Sequence, residues 1–121
     1  MSVRFDSTQF GSVTINGKQY KDVLVVGEEI IPRDLDVLHK RYGTGHKIAP
    51  EELDKLLDEK PAFLVIGTGQ TGVLHIPDSV RKEVKDAEVD LIAKITPKAI
   101  ENFNALREKG NRVNALIHVT C

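Results

Sequence analysis

The sequence predicts a single three-layer α/β domain, residues 1–121, that carries a β-hairpin at its N-terminal end. Three observations lead there. Short apolar runs and stretches of helical periodicity alternate over the last two thirds of the chain, the pattern of strands covered by helices. Asn16-Gly17 sits between two strand-like stretches, as a tight hairpin turn requires. The 121 residues show no internal repeat, low-complexity tract or linker, and a chain of that length buries roughly two thirds of its unfolded surface in one core.

In order along the chain, Ser12-Val13-Thr14-Ile15 and Lys18-Gln19-Tyr20 form the hairpin. A two-residue loop would place Val13 opposite Tyr20, because Asn and Gly tolerate the positive φ of a type I′ turn. Val23 to Val26 reads as a further strand paired with Ile30-Ile31, and Pro32 closes the β-rich front third. Arg33 to Lys47, with two histidines, four basic residues and Gly43-Thr44-Gly45, reads as an irregular connector. Pro50 opens a helix whose first turn holds Glu51 and Glu52 and whose apolar stripe is Leu53, Leu56 and Leu57; Lys60-Pro61 stops it.

From there the pattern is strand, helix, strand, helix, strand. Phe63 to Ile66 is apolar throughout, as in a strand buried on both faces. Pro77 to Ala87 aligns Val80, Val84 and Ala87 on one helical side, and Asp90 to Ile95 is the next strand. Thr96 is expected to be the N-cap of a helix with Pro97 at its first position, burying Ala99, Ile100, Phe103 and Leu106 and ending near Lys109-Gly110. Val113 to Val119 closes the sheet.

With 40% hydrophobic and 29% charged residues the chain is neither disordered nor fibrous. A formal charge of -1, from 17 basic and 18 acidic residues, leaves no positive surplus for neutralising phosphates, so nucleic acid is not an expected partner. Apolar runs are only a handful of residues long, and neither a membrane span nor a secretion signal is expected. The single cysteine, Cys121, excludes an internal disulfide and fits a reducing cytoplasmic setting.

Gly67-Thr68-Gly69-Gln70-Thr71-Gly72 follows a strand and has the letters of a dinucleotide fingerprint. Its flanks do not fit. A fingerprint helix begins inside the motif, whereas Val73-Leu74-His75-Ile76 intervenes here and no helix starts before Pro77. The following strand ends Lys94-Ile95-Thr96 without a ribose-binding acid, and no Gly-Lys-Ser/Thr follows for a Walker-type loop. If the strands at Phe63 and Asp90 run parallel, the loop and the start of the Thr96-Pro97 helix open on one sheet edge, where a small anion or carbonyl compound could sit. Alternatively, Gly67 and Gly69 only permit a sharp exit from a buried strand, with Thr68 and Thr71 capping local backbone.

Strand parity puts Cys121 with Val113, Ala115, Ile117 and Val119 as a small buried hydrophobe, and puts His118 on the other face with Asn114, Leu116 and Thr120. His39 and His46 flank a glycine turn, but a structural zinc site needs about four ligands and the sequence supplies no compact set. No metal or cofactor is expected. Arg33, Lys40, Arg41 and Lys47 read as a solvated surface or a phosphate contact, and Glu51 to Glu59 offer no distinguishable acid/base pair.

The order Phe10 to Tyr20, Val65-Ile66-Gly67-Thr68-Gly69, Thr96 with Ala99, Asn104-Ala105-Leu106 and Ala115 to Cys121 resembles a small family of uncharacterised proteins. Its members include archaeal and bacterial proteins, the eukaryotic adipogenesis-associated domain protein and a mitochondrial NADH dehydrogenase (complex I) assembly factor. Tyr42-Gly43-Thr44-Gly45-His46 makes the chain similar to the archaeal members. The resemblance implies a central mixed sheet with helices and a hairpin around it, and a last strand antiparallel to its neighbours. Such a strand would carry His118 and Cys121 away from the glycine loop and bring Arg112 towards it. The ligand-binding set it implies is Gly67, Thr68, Gly69, Thr96 and Arg112. No enzymatic reaction comes with the resemblance. The functional expectation is a cytoplasmic, non-catalytic interaction or assembly module, with a small-anion binder or enzyme at Gly67-Thr68-Gly69 as the alternative. A protein partner, a small anion and a second copy of the chain are the partners left open.

Overall fold

Eight strands and four helices follow one another in residues 2–121, the span described by the computed structural model of the chain. The front hairpin is three strands rather than two. β1 (Phe5–Gln9), β2 (Ser12–Ile15) and β3 (Lys18–Tyr20) form an antiparallel sheet in that order. Asn16 and Gly17 take φ of 49° and 82°, the turn their identities demand, and Val13 stands opposite Tyr20. β1 holds a single large apolar residue, Phe5, so its strand character comes from pairing with β2 and not from its own pattern.

The main sheet contains β4 (Val23–Val26), β5 (Glu29–Pro32), β6 (Phe63–Thr68), β7 (Asp90–Lys94) and β8 (Val113–His118) in the order β5-β4-β8-β6-β7. It is mixed. β6 is parallel to β7 and to β8, whereas β4 is antiparallel to both β5 and β8. The resemblance implied a β8 antiparallel to its neighbours; that holds against β4 only. Against β6 the register runs Phe63 with Val113 through Thr68 with His118, so His118 is carried to the glycine loop and Arg112 to the opposite end.

Helices α1 (Leu35–Tyr42), α2 (Pro50–Leu57), α3 (Asp78–Asp86) and α4 (Thr96–Glu108) complete the layers. Leu53 and Leu56 of α2 and Val80 and Val84 of α3 pack on Leu64, Ile66 and Leu116. On the other face Ala99, Ile100 and Phe103 of α4 pack on Val65, Ala115 and Ile117, and the hairpin sheet joins them through Phe5, whose ring meets that of Phe103 edge-on at 4.9 Å. The alternation of odd and even residues in β6 and β8 thus builds two cores from two strands.

α1 occupies the stretch that reads as an irregular connector. Of the residues behind that reading, Gly43 is the helix's C-cap: at φ 74° it donates its N–H to the His39 carbonyl, while at the other end the Asp34 carboxylate accepts from the Val37 N–H. No described helix is long and apolar enough to cross a membrane.

Candidate functional site

In a sheet ordered β8-β6-β7, the chain leaves β6 in one direction through α3 and returns across it through α4, with the two helices on opposite faces. The carboxyl ends of β6 and β7 therefore flank a topological switch point, the position where open α/β sheets receive ligands. Gly67, Thr68, Gly69 and Thr96 meet there, as the sequence suggests; Arg112 does not. Its side chain donates to the Glu59 carbonyl, and the Arg112 carbonyl accepts from the Ala62 and Phe63 N–H groups at the far end of β6.

The crevice is filled by the chain itself. Val119, Thr120 and Cys121 run on from β8 across the glycine loop, and the loop amides turn towards them. Gln70 N donates to the Thr120 carbonyl at 2.7 Å, and Val73 N and Thr71 N donate to the Cys121 carbonyl at 2.8 and 3.3 Å. The Thr71 hydroxyl donates to that same carbonyl at 3.0 Å. The Gln70 amide group reaches the Thr8 hydroxyl and the carbonyls of Gln9 and Val119, and Gly11 N also donates to Val119, so the hairpin is locked to the same segment. Donors that would hold a pyrophosphate in a dinucleotide fold here hold backbone carbonyls.

Two glycines make this approach feasible. A Cβ on Gly67 would lie 2.9 Å from the Thr96 hydroxyl and 3.1 Å from Ile117 Cδ1. At Gly69, with φ of 107°, it would lie 2.3 Å from the Cys121 carbonyl carbon. Thr96 is the first residue of α4 and not its N-cap, which is Ile95. Its buried hydroxyl instead donates to the His118 carbonyl at 2.5 Å and accepts from Gly69 N at 3.0 Å, joining the loop to β8. The Thr68 hydroxyl points to the Lys94 carbonyl, so its register pairing with His118 makes no catalytic pair. Cys121 is exposed, not buried: strand geometry ends at His118, and parity no longer governs the last residues.

Beside this plug lies a buried ionic network that the sequence reading misses. Arg33 follows β5 and has a fully buried side chain with 0% exposure. Its guanidinium donates to both Glu52 carboxylate oxygens at 2.7 and 3.0 Å, to Asp22 at 2.8 Å, and to the carbonyls of Gly45 and Lys47 at 3.2 and 2.5 Å. These five bonds match its five N–H donors. Asp22 also receives the Val119 N–H at 2.8 Å and lies 2.7 Å from His118 Nδ1, while His118 Nε2 lies 3.1 Å from the Thr120 hydroxyl. Burial pushes the Asp22 carboxyl up, but the hydrogen bond and charge of His118, the Val119 N–H and Arg33 together outweigh it and hold the group below its ordinary 3.8.

A depressed carboxyl stabilises the fold above its unfolded value and loses that contribution as pH falls through the lower folded value. Stability of the native protein is therefore expected to decline from about pH 5 downward, steepening below pH 4. In Asp22→Asn this part of the acid limb should flatten, as measured by urea unfolding across that range.

The network forms the floor of a cleft of about 360 Å³ lined by Lys21, Leu35, His39, His46, Val119 and Thr120, among others. The His46 ring stands edge-on to that of His118 at 4.9 Å. Although His39, His46 and His118 share this cleft, no group of three or more His, Cys, Asp or Glu is placed to hold a metal ion among the described residues.

The chain belongs to a family described as protein of unknown function (DUF498/DUF598), whose model matches residues 5–118. Its fold is similar to that of the conserved hypothetical protein PH1505 from Pyrococcus horikoshii OT3, with 35% identity and a TM-score of 0.80 over 98% of this chain and 99% of that one. It is also similar to the protein named MT938, at 38% identity and a TM-score of 0.79 over 99% of this chain and all (100%) of that one. An outer membrane protein from Bartonella henselae shares the fold at 21% identity and a TM-score of 0.78, over 98% of this chain and 96% of that one.

Proposed function

We propose that the protein is a non-catalytic interaction or assembly module of the cytoplasm, and that the glycine-loop edge is its contact face. One observation carries this reading. The large apolar side chains most exposed on the described surface, Phe10 at 66%, Val73 at 51% and Ile95 at 44%, belong to segments joined at that edge. Phe10 lies between Gln9 and Gly11, both bonded to the plug assembly; Val73 donates to Cys121; Ile95 packs 3.5 Å from the Cβ position of Gly72. Exposed apolar side chains on segments tied to one edge fit a protein contact, whereas scattered ones are ordinary. The resemblance to the adipogenesis-associated protein and to the complex I assembly factor supports an assembly role, and the single cysteine supports the cytoplasm. A small anion at Gly67, Thr68, Gly69 and Thr96 has less support, because binding there would require Thr120 and Cys121 to leave, and Arg112 is remote.

The test is cross-linked capture from the protein's own cell extract, with native protein compared against Phe10→Ser/Ile95→Ser. A specific partner, a second copy of the chain included, is expected to fall at least about tenfold in recovery, the loss of roughly 1.4 kcal/mol of contact energy. Equal recovery by both proteins, or no specific partner at all, would contradict the reading.

A further inference from the structure

We propose that the cleft over the Asp22–His118 pair binds a small carboxylate ligand with a short apolar tail. The Lys21, His39 and His46 side chains that it uses are separate from Phe10, Val73 and Ile95 of the contact face.

Among the described residues lining the cleft, Asp22 is the single acid, and its oxygens are engaged by Val119 N, Arg33 Nη1 and His118 Nδ1 at 2.7–2.8 Å. Its side chain is 1% exposed, so the cleft presents no open carboxylate. Beside the buried Asp22–His118 pair, the polar side chains lining the cleft are those of Lys21, His39, His46 and Thr120. Lys21 and His39 are exposed, and His46 and Thr120 half-buried, so all four are within reach of a solute. All can donate a hydrogen bond to an oxyanion, and none carries a negative charge.

Shape adds the second requirement. The half-buried Leu35 supplies apolar wall, and Gly11 and Gly45 leave backbone without side chains in the lining. A volume of about 360 Å³ suits a compact solute at the lower end of small-molecule sites. A bare inorganic anion would satisfy the donors and leave the apolar wall wet. A carboxylate on a chain of a few carbons satisfies both, with its oxygens towards Lys21 and the imidazoles and its methylenes against Leu35. The floor is rigid because the five-bond Arg33 network fixes Asp22, which in turn fixes the His118 ring. That fixed floor lowers the ordering cost of binding, which remains for the exposed Lys21 and His39 side chains.

The experiment is an NMR titration of the native protein with butyrate, with acetate and inorganic phosphate as parallel probes, following the histidine ring resonances. Saturable shifts at His39 and His46 are expected, with affinity in the order butyrate, acetate, phosphate. Lys21→Met should weaken butyrate about threefold to tenfold, as befits one exposed charge contact, while leaving thermal unfolding unchanged. Phe10→Ser/Ile95→Ser should bind butyrate as the native protein does, which separates this site from the contact face. Shifts that do not saturate, that bypass both rings, or that phosphate matches at equal concentration would overturn the proposal.

Discussion

Replacing Gly69 by valine is expected to expel the C-terminal segment from the glycine loop and to destabilise the protein by about 2–4 kcal/mol. Two costs combine. The added Cβ would stand 2.3 Å from the Cys121 carbonyl carbon and 2.4 Å from its oxygen, a backbone obstacle that no rotamer change relieves. The φ of 107° also lies where a side chain is strained. When the segment moves, the Gln70, Thr71 and Val73 amides lose their acceptors together. In a domain of this size the midpoint of thermal unfolding should fall by about 10 °C. Gly110→Ala is the control: its φ is 88° but nothing lies within 4 Å of the new Cβ, so only the strain remains. A loss of about 1 kcal/mol is expected there. Equal losses in the two variants would mean that contact with Cys121 contributes nothing.

Arg33→Met is expected to cost about 3–5 kcal/mol, the largest single effect of a charge change in this fold. The substitution keeps much of the side-chain volume but leaves the buried Glu52 carboxylate without its counter-ion and Asp22 with His118 alone. It also strips the Gly45 and Lys47 carbonyls of their donor, so the 43–49 loop should loosen with it. Arg33→Lys should recover little, because one ammonium cannot reproduce five forked bonds. Adding Glu52→Gln to Arg33→Met should recover part of the loss, since it removes one unpaired charge. Urea unfolding of the four proteins decides the matter, and a loss below about 1 kcal/mol for Arg33→Met would show that the network is not stabilising as an ensemble.

The elements with strong local signals were legible in the sequence. The Asn16-Gly17 turn, the register of Val13 with Tyr20, the pairing of β4 with β5 and the run of β6, α3, β7, α4 and β8 all follow from turn chemistry and periodicity. β1 was not legible, because a strand with one large apolar residue exists only through its partner. α1 was hidden by the glycine turn that caps its end and by the histidines and basic residues of the stretch. The direction of β8 relative to β6 depends on long-range pairing; once it is parallel, His118 and Arg112 exchange ends.

The buried network illustrates the limit more closely. Arg33 sits in a basic cluster whose average behaviour is solvation, and composition gives no reason to single it out. A signal was present in the hairpin register. Pairing Val23 with Pro32 sets Asp22 beside Arg33, two opposite charges at the mouth of a buried sheet. What no local pattern contains is Glu52 and His118 converging on the same point from α2 and β8. The glycine loop was found for its letters, yet the residues that fill it lie some fifty positions away.

Amide hydrogen exchange at Gln70 and Val73 in the native protein tests most directly whether the switch-point crevice is closed by the chain's own C-terminal segment. Both amides lie in a surface loop outside any strand, so protection there must come from the carbonyls of Thr120 and Cys121. Exchange slowed at least about a hundredfold relative to an unstructured peptide, and lost in Gly69→Val, is expected. Exchange at the unstructured rate in the native protein would contradict it and leave the loop open to a ligand.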